Sequence, residues 1–209
     1  MALTIAGCAG VQPKPTPQWQ CDSQADAAVQ NGDWEAARAG HEALLRRDPA
    51  NGLAHYHLGY IMGKVGGRSD EIENYRAAIA AGYDHDDQLY FNLGMAYFDL
   101  GRNDAAIEAM QRAIAVNTKS ADNHFGLAMI LDGLDRTTEA EAALEEALRL
   151  EPDHVEAVLL LAGIRLDQSR WDEARTLLEG LLKRDPENED ALQLMEVLRF
   201  RQGVLYDDQ

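Results

Sequence analysis

The chain is short of the residues on which several protein classes depend. It has only two cysteines, Cys8 and Cys21, 13 residues apart. They form no CxxC pair and show no metal-ligand spacing, so one small oxidised loop is the most they could close. No stretch approaches the roughly 18 continuous apolar residues of a membrane-spanning helix. Basic side chains are scarce: 19 Lys and Arg face 36 Asp and Glu, a formal charge of −17. A field of that sign repels phosphate backbones, so nucleic acid is excluded as the expected partner and a basic or neutral surface is favoured.

Catalytic signatures are missing as well. There is no Gly-rich phosphate loop, no Ser-nucleophile motif and no HExxH. The six histidines scatter. His55 and His124 recur at corresponding large positions, which reads as packing between helices. His55 and His57, two apart, point away from each other on a helix. The loop "YDHDD", Tyr83 to Asp87, is the most ligand-like stretch. It lacks the glycine and distal glutamate of a calcium loop, and its Asp residues suit the start of the next helix. The expectation is a non-enzymatic protein with no cofactor and no metal.

What the chain does have is repetition. Pro152 and Pro186 lie 34 residues apart, ending "ALEEALRLEPDH" and "LLEGLLKRDPEN", and Pro49 ends a similar run. Turn residues keep the same beat: Gly32, Gly66, Gly101, Asp135 and Ser169 follow in steps of 34 or 35. Before each turn a large residue, a Leu and a small residue recur, as in Tyr90/Leu93/Gly94 and Val158/Leu161/Ala162. After each turn comes alanine-rich helix, with Ala37, Ala106, Ala140 and Ala174 in phase.

These features together resemble the tetratricopeptide repeat family. The resemblance implies an all-α fold, a right-handed superhelical array of antiparallel helix pairs. It covers 18–188 as five repeats, 18–51, 52–85, 87–120, 121–154 and 155–188. A capping helix over 189–203, polar on its outer side, and a tail over 204–209 follow. Four departures are expected to loosen local packing: Thr118 for the terminal proline of the third repeat, Glu71 for an alanine in the second, and Leu44 and Leu181 for small residues. The first helix, around Gln20 to Gln30, is poor in large apolar residues and makes a weak wall.

At the head, Ile5, Ala6, Gly7 and Cys8 resemble the lipobox of bacterial lipoproteins, in which the cysteine is acylated. Residues 1–7 then read as a residual export-signal-like segment and 8–17, rich in Pro and polar residues, as a flexible tether. Ala9 after the cysteine implies, by the same resemblance, the periplasmic face of a bacterial outer membrane. Lipid at Cys8 is the only membrane contact expected.

One helix carries more apolar surface than docking requires. In "LYFNLGMAYFDLGR", Tyr90, Leu93, Gly94 and Tyr97 form one stripe, while Phe91, Met95 and Phe98 form a second about 100° further round. In the family the first helices line a concave face that takes peptides or helices, and the second stripe falls there. The same phase selects Leu53, Tyr56, Tyr60, Phe125, Met129, Leu159 and Leu166, with Lys64 and Asn92 as polar members. Asp99, Asp122, Asp132, Glu156 and Asp167 make an acidic rim. Such a groove suits a hydrophobic or amphipathic protein segment with basic flanks. Some of the stripe could equally pack between neighbouring first helices as core.

The expected role is a membrane-tethered scaffold or adaptor in envelope assembly, serving a pilus, a secretin or exopolysaccharide export. The alternatives are a soluble cytoplasmic interaction module of a larger complex, and self-assembly into a homo-oligomer through the groove.

Overall fold

A computed structural model describes residues 22–203. Within it the chain forms eleven helices and no strand. They fall into pairs: α1 (Ser23–Gln30) with α2 (Trp34–Arg47), α3 (Gly52–Lys64) with α4 (Arg68–Ala80), and α5 (Asp87–Asp99) with α6 (Asn103–Val116). Next come α7 (Ala121–Asp132) with α8 (Thr137–Leu150), α9 (Val155–Asp167) with α10 (Trp171–Arg184), and a last helix, α11 (Glu189–Arg201). Each helix packs on its pair mate and on its neighbours in sequence. First helices also meet one another, α3 with α5, α5 with α7 and α9 with α11. The result is a superhelical array with one face built from first helices.

Local chemistry sets the boundaries. Every first helix, and α11 with it, starts at a residue whose side chain accepts a hydrogen bond from an amide of the first turn: Asp22, Asn51, Asp86, Ser120, His154 and Asn188. These contacts satisfy amides that have no partner within the helix. Within each pair the first helix ends on a left-handed residue. The periodic turn positions are those residues, with φ of 73° at Gly32, 85° at Gly66, 67° at Gly101, 57° at Asp135 and 61° at Ser169. Glycine accepts this conformation without strain, whereas Asp and Ser pay for it through Cβ.

Backbones approach where a side chain is missing. A Cβ on Gly59 would lie 2.6 Å from the Tyr75 ring, and one on Gly40 would lie 2.6 Å from the Ala25 methyl. The second contact explains how the short α1, whose one buried residue is Ala25, still docks on α2.

The four departures do not loosen the fold. Leu44 and Leu181 are buried, the latter in a cluster with Ala162 and Ala191. Glu71 fills the hollow above Gly63, whose missing Cβ would sit 2.6 Å from the carboxylate. Near Thr118, Asn117 and Asn123 both donate to Asp87 Oδ2, at 3.1 and 2.9 Å, tying the third repeat to the fourth. The cap is less polar outside than expected, because Leu192 and Phe200 are exposed, with no further described helix over them.

Replacing Ser169 by Gly should relieve the left-handed turn and raise stability by about 0.5–1 kcal/mol, after allowance for the looser unfolded chain. A urea-unfolding midpoint that does not rise would contradict this.

Candidate functional site

Two adjoining hollows open beside α3. The first, about 740 Å³, is lined by Val29, Gln30, Asn31, Gly32, Trp34, Tyr56, His57, Tyr60 and Lys64. The second, about 180 Å³, is lined by Tyr60, Gly63, Lys64, Arg68, Glu71, Tyr75, Asn92 and Met95. They share Tyr60 and Lys64, so α3 forms a common wall. Five of the residues placed in the groove by sequence, Tyr56, Tyr60, Lys64, Asn92 and Met95, line this pair. Trp34, His57 and Arg68 were missed, since they lie off the inner stripe.

The aromatic wall is held by ring contacts. Tyr56 stacks on Tyr83 at 5.3 Å, with the Tyr75 ring at 6.0 Å. Burial, helped by the charge of Asp86, pushes the Tyr56 phenol up to about 12, so it stays neutral and can donate a hydrogen bond. Tyr60 meets Trp34 edge-on at 6.4 Å, and Lys64 Nζ lies 4.9 Å from the Tyr60 ring centre. Arg68 bridges the floor, donating to Glu71 at 2.8 Å and pairing with Asp99 at 2.7 Å. Burial raises the Glu71 carboxyl pKa despite Arg68.

Elsewhere the sequence-derived groove needs correction. Leu166 is 2% exposed and packs with Ala174 and Leu198, because α11 lies over it; it lines no groove. Leu159 is half-buried in the cluster that holds Leu181 and Ala191. Leu53 packs toward Ile72, Tyr75 and Leu89 between repeats. Phe125 packs against the Ala128–Leu144 cluster, its ring 5.0 Å from that of His154.

Phe91 and Phe98 are half-covered, for a specific reason. Cβ atoms on Gly126 and Gly133 would lie 2.5 and 2.6 Å from the Phe91 and Phe98 rings, so both phenylalanines press on glycines, one within α7 and one at its C-terminal cap. Met129, 37% exposed, keeps an open face, and Met95 remains on the wall of the smaller hollow.

The acidic rim is also partly engaged. Asp99 holds Arg68, and Asp167 pairs with Arg201 at 2.9 Å. Asp122 and Glu156 flank His154 at 3.2 and 3.3 Å. Burial and the like charges of Asp135 and Asp167 raise the Asp132 carboxyl pKa. The groove is therefore polarised: aromatic with Lys64 toward α1 and α3, acidic toward α7 and α9. In the "YDHDD" loop Asp86 caps α5 and accepts from the Tyr83 hydroxyl at 2.7 Å, while Asp87 binds the two asparagines.

One cluster escaped the sequence reading. Asp26 of α1, His41 of α2 and His57 of α3 converge, with ligand atoms all within 4.8 Å of one another. Burial lowers the pKa of both imidazoles, against the pull of Asp26. No spacing rule could have found it, because each residue comes from a different helix.

This geometry defines a helix-pair repeat protein. Three tetratricopeptide repeat family models match, over residues 23–62, 85–152 and 133–198. The chain belongs to the tetratricopeptide repeat family, whose members are generally non-enzymatic interaction modules that bind peptides or proteins. Among solved structures it is similar to MamA, at 25% identity and TM-score 0.70, over 89% of this chain and 99% of that one. PilF from Pseudomonas aeruginosa is similar at 19% identity and TM-score 0.74, over 86% of this chain and 81% of that one. YrrB, described as a TPR protein with an unusual peptide-binding site, follows at 20% identity and TM-score 0.69, over 82% of this chain and 88% of that one. No curated protein matches the chain by sequence.

The glycine seats predict an inverted substitution pattern. Gly126→Ala, which in an open helix would gain about 0.5–1 kcal/mol, should instead lose about 1–3 kcal/mol against Phe91. Gly180→Ala, with open space around it, should show the ordinary gain. Thermal or urea melts of the two variants compare them directly. Arg68→Ala should destabilise by about 1–2 kcal/mol at neutral pH, discounted for the exposure of Arg68, because it leaves Glu71 buried without its cation. The loss should shrink near pH 4, where the carboxyl, already raised in the folded state, takes up its proton. Melts at the two pH values check this.

Proposed function

We propose that the protein is a scaffold that seats a hydrophobic or amphipathic protein segment along its first-helix face, with the segment's apolar side on Tyr56, Tyr60, Met95 and Met129. The observation that carries this reading is the pair of joined hollows beside α3, tyrosine-lined in both and with Met95 of α5 on the wall of the smaller. Methionine and tyrosine give adaptable contacts of large area. Burying three or four such side chains contributes roughly 1.5–3 kcal/mol each, and ordering costs bring the net to about micromolar affinity. The acidic residues Asp122, Asp132, Glu156 and Asp167 favour Lys or Arg on the flank lying over α7 and α9.

The same proposal places the scaffold on a bacterial outer membrane, facing the periplasm and held by lipid on Cys8, as a helper of pilus, secretin or exopolysaccharide-export assembly. Its support is the lipobox-like "IAGC" followed by a Pro-rich stretch. Cys8 and the 8–17 stretch lie outside the described residues. Among the described residues no helix is long and apolar enough to cross a membrane. Mass spectrometry of the protein from its native host should find acylated Cys8 as the N-terminus. An unmodified Met1 would remove the anchor and leave the cytoplasmic interaction module.

For the groove, the decisive substitutions are Met95→Asp with Met129→Asp. Met129 is 37% exposed, and Met95 lines the smaller hollow while its inner side rests on the Ala106–Met110–Ile130 cluster, so the melting temperature of the double variant is read beside its binding; Phe91→Asp would disrupt the seat on Gly126. A fluorescent amphipathic helical peptide with Lys flanks should bind the wild type, and at least about tenfold more weakly to the double variant, with helical circular dichroism unchanged. The same peptide with Glu flanks should bind more weakly, and added salt should narrow that difference. Equal binding by the two proteins would overturn the groove assignment.

A further inference from the structure

We propose that Asp26, His41 and His57 form a divalent transition-metal site of the two-histidine, one-carboxylate type, taking Zn²⁺ with one coordination position open toward the larger hollow. Asp26 Oδ1 lies 3.1 Å from His57 Nδ1 and 3.5 Å from His41 Nε2, and the ligand atoms all fall within 4.8 Å of one another. Zinc bound at about 2.0–2.1 Å in tetrahedral geometry separates its ligand atoms by about 3.3 Å. Two of the three separations are already near that value. The third needs a small rotation of one ring, and the imidazoles stand edge to face with centres 4.7 Å apart.

The second observation is that the buried His41 at the centre of this cluster is otherwise unsatisfied. His41 is 1% exposed, and neither of its ring nitrogens has a hydrogen-bond partner. Asp26 Oδ1 is buried as well, and its close neighbours are the two imidazoles, His57 Nδ1 at 3.1 Å and His41 Nε2 at 3.5 Å. Leaving buried polar groups unpaired costs about 1–3 kcal/mol each. Packing does not require the imidazole. At the equivalent place in the other four repeats stand Tyr75, Met110, Leu144 and Leu178, each fully buried. A polar ring at an apolar position, aimed at a carboxylate and a second imidazole, fits a ligand set better than a core residue.

The site has a structural consequence. Asp26 belongs to the eight-residue α1, His41 to α2 and His57 to α3. One ion would therefore tie the weakest helix of the array to the two behind it. His57 also lines the 740 Å³ hollow, so the open position faces the space where a partner side chain or water can complete the coordination. The site stands on its own geometry and does not depend on the peptide-binding reading.

The test uses the full chain carrying Cys8→Ser and Cys21→Ser, so that thiols hold no metal, stripped with chelator and titrated with Zn²⁺ by calorimetry. Co²⁺ absorption provides a second readout of low-coordinate N/O ligation. One Zn²⁺ per chain is expected, with a rise in melting temperature on loading. His41→Leu, which copies the residue of two other repeats, should weaken Zn²⁺ binding at least about tenfold, the scale on which even the outer partners of metal ligands act. The same variant should keep or raise the metal-free melting temperature. Asp26→Asn, nearly isosteric, should weaken binding without unfolding α1. Absence of Zn²⁺ heat from a folded wild type would overturn the proposal, as would binding that survives both substitutions or is lost with the cysteines alone.

Discussion

From α1 to α7 the array depends on how closely helix backbones can approach at positions that lack a Cβ. Gly59 receives the Tyr75 ring, Gly63 the Glu71 carboxylate, Gly94 the Met110 side chain, and Gly126 and Gly133 the rings of Phe91 and Phe98. The first three seats hold a pair together, and the last two hold one pair to the next. Each is a large group set against an absent one, so neither partner can change size alone without a void or a clash. The left-handed turns fix the phase at which these seats meet. A slip of one residue on a helix would swing every seat by about 100° and bring side chain against side chain.

That constraint also explains what could be read from the sequence. The 34-residue beat of Gly32, Gly66, Gly101, Asp135 and Ser169 was visible because a single backbone conformation repeats there. The inner stripe was visible because helical phase alone selects it. How much of the stripe stays open was not, since that depends on residues one repeat away. Phe91 and Gly126, and Phe98 and Gly133, are each 35 residues apart. An aromatic followed by a glycine one repeat later in the neighbouring phase is a signal that could have been counted. Leu166 offered no such signal, because its burial comes from Leu198 of the cap, and the sequence does not reveal the angle at which α11 docks.

The departures from the repeat pattern lie where the packing rule is met by other chemistry. Glu71 replaces an alanine, yet Gly63 makes room for it and Arg68 carries its charge to Asp99, so a packing position has become a polar tie between the second and third pairs. His41 replaces a buried apolar residue, and there the neighbouring groups are another imidazole and a carboxylate. In both places a side chain that is costly to bury has been given a charged neighbour. Both lie in the N-terminal half, around the two hollows of α3.

Polar contacts therefore carry the most weight where the array is thinnest in apolar mass. The helix α1 buries only Ala25; Ala28 and Val29 rest half-buried on the Ala37–Leu58–Ile61–Met62 cluster, and Asp26 approaches His57 of α3. Farther along, alanine and leucine clusters carry α7 to α10, and the Arg165–Glu145 and His154–Asp122 pairs lie beside them as additions to a packed core. A wall with few apolar contacts can keep an open hollow beside it, whereas a wall held by close packing fills its own space. The 740 Å³ hollow accordingly adjoins the Asp26–His41–His57 cluster through His57, whereas toward the cap Leu198 of α11 covers Leu166.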